Sequence, residues 1–274
     1  MRQRKAKDLD KRLARCKDHM VYKGDRSMQK YCDCSGDLYV EIGCGKGQFI
    51  ITKAAANPGS RFLAIEGQET VVLRAAEKAM CVCGETDWPE NVPGEERMEG
   101  VSADLNNLKF VNCFVDHMAD LFQENQLSGI YLNFSDPWPK ARHAKRRLTY
   151  RDRLREYAWA LKNGGFIEIK TDNEGLFAFT LEEIEECADI LRMEEMTRDL
   201  HASDCTYESK NITTEYEDKF SASGKNINYV KVIIDKEKQN GRVHFSQKKQ
   251  QKHSAGRQDL RNIKQSQGSY RRKR

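Results

Sequence analysis

Four acidic residues, Glu41, Glu66, Asp136 and Asp172, each stand at or just after a short apolar run: LYVEI (38–42), FLAIE (62–66), IYLNF (130–134) and FIEIKTD (166–172). A strand core has no use for a carboxylate at its end, whereas a ligand rich in positive charge or hydroxyl groups does. The first acid opens the segment E-I-G-C-G-K-G, which sets Gly43, Gly45 and Gly47 at alternate positions. A dinucleotide fingerprint requires G-x-G-x-x-G with a helix N-terminus aimed at a pyrophosphate. Here the third glycine comes one residue early, and Glu41 would repel a phosphate but attract an ammonium or a sulfonium. The glycines let the backbone approach a flat nucleoside closely, and Glu66 is placed to accept both hydroxyls of a ribose.

The third acid begins a different kind of stretch. In NFSDPWPKARHAKRRL (133–148), Asp136 is followed by Pro137 and Pro139 around Trp138, and then by Lys140, Arg142, Lys145, Arg146 and Arg147. Two prolines stiffen the loop that presents Asp136 and Trp138. Trp138 either stacks on a bound base or packs the loop. The basic run suits phosphates, each contact making binding more salt-sensitive. A solvated helix start and a turn-forming Asp before Pro137 are the plainer readings.

The elements that must position these residues follow from the pattern. Each apolar run reads as a strand, and FIITKAAA, QETVVLRAAEKA, HMADLFQ, LREYAWALKNGG (with a glycine stop) and FAFTLEEIEECADIL read as helices between and after them, with KFVNCFV (109–115) a further strand. Strands alternating with helices predict an α/β fold with a doubly wound, mostly parallel sheet. In such sheets ligands bind beyond the carboxyl ends of the strands, where all four acids fall. Residues 31–235 are expected to form this domain, with 84–107 an inserted acidic loop. Residues 1–30 read as a basic N-terminal arm and 236–274 as a basic, disordered tail.

Charge supports that division. Residues 1–30 hold eleven Lys/Arg against four Asp/Glu, and 236–274 hold thirteen against two, yet the chain carries only +5. Two basic ends on an acidic body predict a polyanionic partner. No segment approaches the ~20 apolar residues of a membrane span, and with no secretory segment a cytoplasmic location is expected. The nine cysteines are then expected to be reduced thiols. Cys32, Cys34, Cys81 and Cys83 form two C-x-C pairs that would meet at the end of the sheet away from the acids, so a structural zinc site is a minor alternative; no metal is assigned. Cys44, inside the glycine turn, reads as a small packing residue.

The acid-rimmed glycine turn resembles that of the class I, Rossmann-like S-adenosylmethionine-dependent methyltransferases. The DPWPK stretch, with IKTDN (169–173) and TEYE (214–217), is similar to the motifs of the bacterial tRNA (guanine-N7)-methyltransferases of TrmB type, over about residues 38–235. The resemblance implies transfer of a methyl group from S-adenosyl-L-methionine to N7 of a guanine in the tRNA variable loop. It implies cofactor contacts from Glu41, Gly43, Gly45, Gly47, Glu66 and Asp136, a catalytic Asp136, and substrate contacts from Lys140, Asp172, Thr214, Glu215, Tyr216 and Glu217. Asp172 and Glu217 would each accept from guanine N1–H or the 2-amino group. Phe114 departs from the pattern, since the family usually has Asp or Asn there beside the adenine; Asp116, Asn112 or the Phe114 ring itself would serve instead. tRNA is the expected partner, with no membrane and a monomer or homodimer. A non-catalytic RNA-binding protein of the same fold and a methyltransferase for a non-RNA substrate are the alternatives.

Overall fold

The structure is a computed structural model that describes residues 7–88, 97–98 and 100–237. Its body, which ends at Ile234, is a seven-stranded sheet in the order β3-β2-β1-β4-β5-β7-β6. The strands are β1 (Leu38–Ile42), β2 (Arg61–Glu66), β3 (Leu108–Asn112), β4 (Leu127–Asn133), β5 (Leu161–Thr171), β6 (Leu191–Thr197) and β7 (Asn228–Ile234). The first five in that order pair in parallel, and β7 runs antiparallel between β5 and β6. Strand order reverses between β1 and β4, the switch point at which open α/β sheets bind ligands. The expected doubly wound, mostly parallel sheet is what the chain forms.

Both faces of the sheet are covered, which is why β1, β2 and β4 read as nearly continuous apolar runs. On one face α2 (Arg26–Cys32), α5 (Arg151–Ala160) and α6 (Glu174–Glu185) bury Met28, Tyr157 and Phe177. On the other, α1 (Leu9–Arg15), α3 (Gln48–Ala56) and α4 (Glu69–Val82) bury Leu9, Ile50 and Leu73. A last helix, α7 (Glu215–Ala222), precedes β7.

Several expectations need correction. Residues 9–30 are not an extended arm, because Leu9, Cys16, Met20, Val21 and Met28 are buried and Val21 N–H donates to the Phe110 carbonyl beside β3 (2.8 Å). Their apolar residues are spaced through a basic run, which hides the amphipathic pattern. HMADLFQ forms only a one-turn 3-10 helix, Met118–Asp120, since residues 113–126 are just long enough for a parallel crossover. Helix α5 has no glycine stop: it ends at Ala160, and Leu161 already pairs with Leu127 in the sheet. Gly164 (φ 79°) instead turns the chain within the β5 segment.

Residues 89–96 and 99 of the inserted loop, and 238–274 of the basic tail, lie outside the described residues. Cys32 packs into the core on one face of the sheet while Cys83 packs on the other, so the four-cysteine zinc cluster does not form. No helix among the described residues is long and apolar enough to cross a membrane.

Candidate active site

Three of the four acids meet at the carboxyl ends of β1, β2 and β4, while Asp172 follows β5. Glu41, next to last in β1, is only 1 % exposed. Its Oε1 accepts a hydrogen bond from Asn133 Nδ2 (2.8 Å), and its Oε2 has no partner. Burial pushes the Glu41 carboxyl up to about 8, against the Asn133 hydrogen bond and the charge of Lys170, with Glu66 raising it further. A buried carboxyl with one oxygen unsatisfied is costly unless something pairs with it. A bound cation would be such a partner, and a phosphate would not.

Beside it the glycine turn is held by the neighbouring strand: Gly43 N–H and Cys44 N–H both donate to the Ile65 carbonyl (2.8 and 3.0 Å). Gly43 and Gly45 have φ of 82° and 56°, and a Cβ on either would meet open space. Left-handed backbone, rather than crowding, requires glycine at these two positions. Cys44 is 8 % exposed and packs in the core, as expected of it.

Glu66 accepts from Gly45 N–H (3.1 Å) and Gln68 N–H (2.8 Å), which fixes its carboxylate and leaves further lone pairs open. Burial raises its pKa despite those bonds, and the charge of nearby Asp136 adds to the rise. The Phe114 ring lies directly against Gly67, so that a Cβ there would come within 2.3 Å of it, yet it is 64 % exposed. Asn112 spends its amide on the Glu66 carbonyl (2.8 Å). Phe114 therefore offers an aromatic face next to Glu66, which Asn112 does not. Turn, acids and ring form a cradle that fits a flat nucleoside carrying a positive charge.

Asp136 is exposed and takes no hydrogen bond from the described residues. The loop around it is unusual in backbone: Phe134 and Trp138 have φ of 51° and 41°, the left-handed region that non-glycine residues rarely adopt. Arg147 holds this shape, with Nε donating to the Pro137 carbonyl and Nη2 to the Trp138 carbonyl (both 3.0 Å), its guanidinium 4.2 Å from the Phe179 ring centroid. Of the five basic residues read as phosphate contacts, Arg147 is thus turned inward to the loop. Lys140, Arg142, Lys145 and Arg146 are exposed. Trp138 packs the loop, with the Arg146 guanidinium 5.0 Å from its ring and His143 edge-on at 5.7 Å.

The TEYE segment also differs from expectation. Thr214 is the N-cap of α7 and forms a capping box with Glu217. Glu217 is fully buried and receives Lys170 Nζ (3.1 Å) and His201 Nε2 (2.8 Å). Glu215 pairs with Lys78 and, at 3.7 Å, with Lys46 of the glycine turn. These carboxylates, expected to meet substrate, are consumed within the protein. Asp172 is half-buried and bound to Lys225 (3.3 Å). Tyr216 alone of the four is exposed, at 63 %, and lies nearly parallel to Phe134 with ring centroids 6.5 Å apart. No sequence signal marks Phe134 as a partner of Tyr216; only the left-handed turn after β4 brings it there.

Known proteins similar to this chain point to one family. A family model described as "Putative methyltransferase" matches residues 35–230. The tRNA (guanine-N(7)-)-methyltransferase of Mesoplasma florum is 44% identical over 199 residues, covering 73% of this chain and 81% of that protein. The enzyme of the same name from Bacillus subtilis is 37% identical over 190 residues, covering 69% and 77%. Among solved structures, the 16S rRNA methyltransferase KamB superposes with a TM-score of 0.54 at 10% identity, covering 77% of this chain and 94% of that one, a likeness of fold alone. With the acid-rimmed glycine turn of β1 and the proline-locked Asp136 in place, the chain belongs to the tRNA (guanine-N(7)-)-methyltransferase family.

Proposed function

We infer that the protein transfers a methyl group from S-adenosyl-L-methionine to N7 of a guanine in the variable loop of tRNA. The observation that carries the reading is Asp136, held exposed beside Glu66 at the switch point of the sheet and followed by a strip of exposed basic side chains. When bound, the cofactor supplies an electrophilic methyl group on a sulfonium. Glu41 and the backbone of Gly43, Gly45 and Gly47 hold its amino-acid end, Glu66 its ribose, and Phe114 its adenine. Because guanine N7 bears a lone pair and no proton, the site needs no general base; it must align the nucleophile and exclude water. Methylation makes the purine cationic and N1–H more acidic, and the Asp136 carboxylate stabilises that developing charge.

A base inside a duplex is out of reach, so the target is a splayed nucleotide. Tyr216 and Phe134 offer it a stacking surface, with Asp136 two residues beyond Phe134 and Asp172 beyond β5. Lys140, Arg142, Lys145 and Arg146 take the surrounding phosphates. All of these side chains come from one chain, so the reading requires no second subunit, and a tRNA substrate fits a cytoplasmic location. The basic tail adds non-specific RNA affinity.

Unmodified bulk tRNA and labelled S-adenosylmethionine test the reading, with borohydride and aniline cleavage mapping the product. Cleavage at a variable-loop guanine supports it. Label at any other position overturns the substrate, and cofactor binding without transfer favours a binding protein of the same fold.

Two substitutions follow from the loop and the ring. Arg147→Lys loses the fork that grips two carbonyls, so kcat should fall by about ten- to a hundred-fold, as expected of a misplaced reacting group. Because lysine keeps the charge, the phosphate question is put to Arg147→Gln, whose salt dependence of tRNA affinity should stay that of the wild type, whereas Arg142→Ala should lower the salt slope by about one. Equal salt slopes in the two variants would return Arg147 to the phosphate contacts. Tyr216→Ala should raise the KM for tRNA about ten-fold, the worth of one stacked base, while Tyr216→Phe and the cofactor Kd stay near wild type. A KM unchanged in Tyr216→Ala would remove the stacking role.

A further inference from the structure

Helix α4 starts beside Glu66 at the acidic rim and runs back along the sheet, so its C-terminal end lies far from the active site. There three side chains from two segments converge: His19 from the turn after α1, Cys83 at the C-cap of α4, and Glu85 two residues on. One ligand-capable atom of each lies within 4.8 Å of the others. His19 Nε2 and Glu85 Oε1 are 3.0 Å apart, a hydrogen-bond separation that has to open only to about 3.4 Å for both to share one tetrahedral ion at about 2.1 Å from each. Imidazole, thiolate and carboxylate together make a donor set that zinc takes.

Two further observations separate this corner from an ordinary His–Glu pair. His19 is 5 % exposed, and its Nδ1 has no hydrogen-bond partner. The ring is therefore fixed by packing and engages only through Nε2, facing a carboxylate whose own side chain is 45 % exposed. A lone pair with an exposed carboxylate is thin compensation for a buried imidazole. The corner is also net acidic: the nearby Lys109 ammonium donates to the Asp18 carbonyl (2.8 Å), and the carboxylates of Asp18, Glu85 and Asp104 surround it.

We propose that His19, Cys83 and Glu85 bind one zinc ion that staples the N-terminal helical segment to the end of α4. Binding exchanges the Cys83 thiol proton, released to solvent, for a sulfur–metal bond, and water completes the coordination. The ion acts structurally, alongside the Arg12–Glu77 ion pair that joins α1 to α4 (2.6 Å). His19 precedes residues 35–230, the part matched by the family model, while Cys83 and Glu85 fall within it; the site stands apart from the methyl-transfer machinery because it sits at the C-terminal end of α4, away from the acidic rim.

The full-length chain, stripped with chelator and titrated with zinc or cobalt, tests the proposal. About one equivalent should bind, and cobalt should show a thiolate charge-transfer band together with the visible absorption of a four-coordinate ion. Cys83→Ser should lose that band and the zinc-dependent rise in Tm, and Glu85→Gln, altering an exposed side chain, should weaken binding by at least about ten-fold. Cys34→Ser and Cys81→Ser should bind as the wild type does. Less than about a tenth of an equivalent in the wild type, or undiminished binding in Cys83→Ser, would overturn it. Because the readout is metal content, it stands apart from whether tRNA is methylated.

Discussion

Replacing Asp136 by Asn should leave the fold, the cofactor affinity and the tRNA affinity nearly unchanged and lower kcat by about a hundred- to a thousand-fold, the loss typical when one preorganised electrostatic group is removed. The side chain is exposed and takes no hydrogen bond from the described residues, so stability should move by no more than about 0.5 kcal/mol. Asn keeps the shape and can still accept from the guanine edge, but it carries no charge to set against the cationic product. A loss confined to kcat therefore isolates the charge from the contact. The substitution has a second readout in the absence of tRNA: the Asp136 charge helps raise the Glu66 pKa, so Glu66 should titrate lower in the variant. A kcat within a few-fold of wild type, with the Glu66 shift present, would show that Asp136 is correctly placed but that its charge does not assist transfer.

How much of this site could be read from the chain depends on whether its partners are near in sequence. Glu41, Glu66 and Asp136 were legible because an acid closing an apolar run stands out against the rule that strand cores exclude charge. The glycine turn was legible because backbone geometry is written in residue type. Nothing in TEYE revealed that Glu215 pairs with Lys78, 137 residues away, or that Glu217 receives Lys170, 47 residues away. Those carboxylates have the composition of substrate readers, and only the tertiary fold commits them to holding α7. Arg147 was hidden in the same way, since within a run of like charges one inward-facing side chain looks like its neighbours. The N-terminal helices are obscured because Leu9, Met20 and Met28 are diluted by eleven basic residues, so that net charge suggests solvation where the spacing allows packing.

Glu41→Gln should abolish a proton that the wild-type protein releases when it binds its cofactor. Burial raises the Glu41 carboxyl to about 8, so near neutral pH it is largely protonated in the free protein. A bound cation favours the carboxylate, and binding at pH 7 should then expel about one proton. Calorimetry in buffers of different ionisation enthalpy reads this directly: the apparent binding heat varies with buffer in the wild type and not in Glu41→Gln. Losing one partner of a buried charge pair costs about 2–5 kcal/mol, so the variant's affinity should fall at least about thirty-fold.

The same group sets a slope in the stability of the free protein. A carboxyl whose pKa is higher folded than unfolded contributes stability that is fully present below about 4.5, the model-compound value, and is lost as pH rises through about 8. Between those limits the loss is on the order of 5 kcal/mol, and Glu41→Gln, which has no proton to lose, should flatten that part of the curve and be the more stable protein at pH 8. Binding heats independent of buffer, in a protein that still binds cofactor, would mean that Glu41 keeps one protonation state throughout and would overturn the exchange. The exchange would make cofactor affinity climb with pH until the carboxyl is ionised. The cradle's buried acid is then costly only while the site is empty, and its destabilisation of the free protein is the source of its grip on a cation.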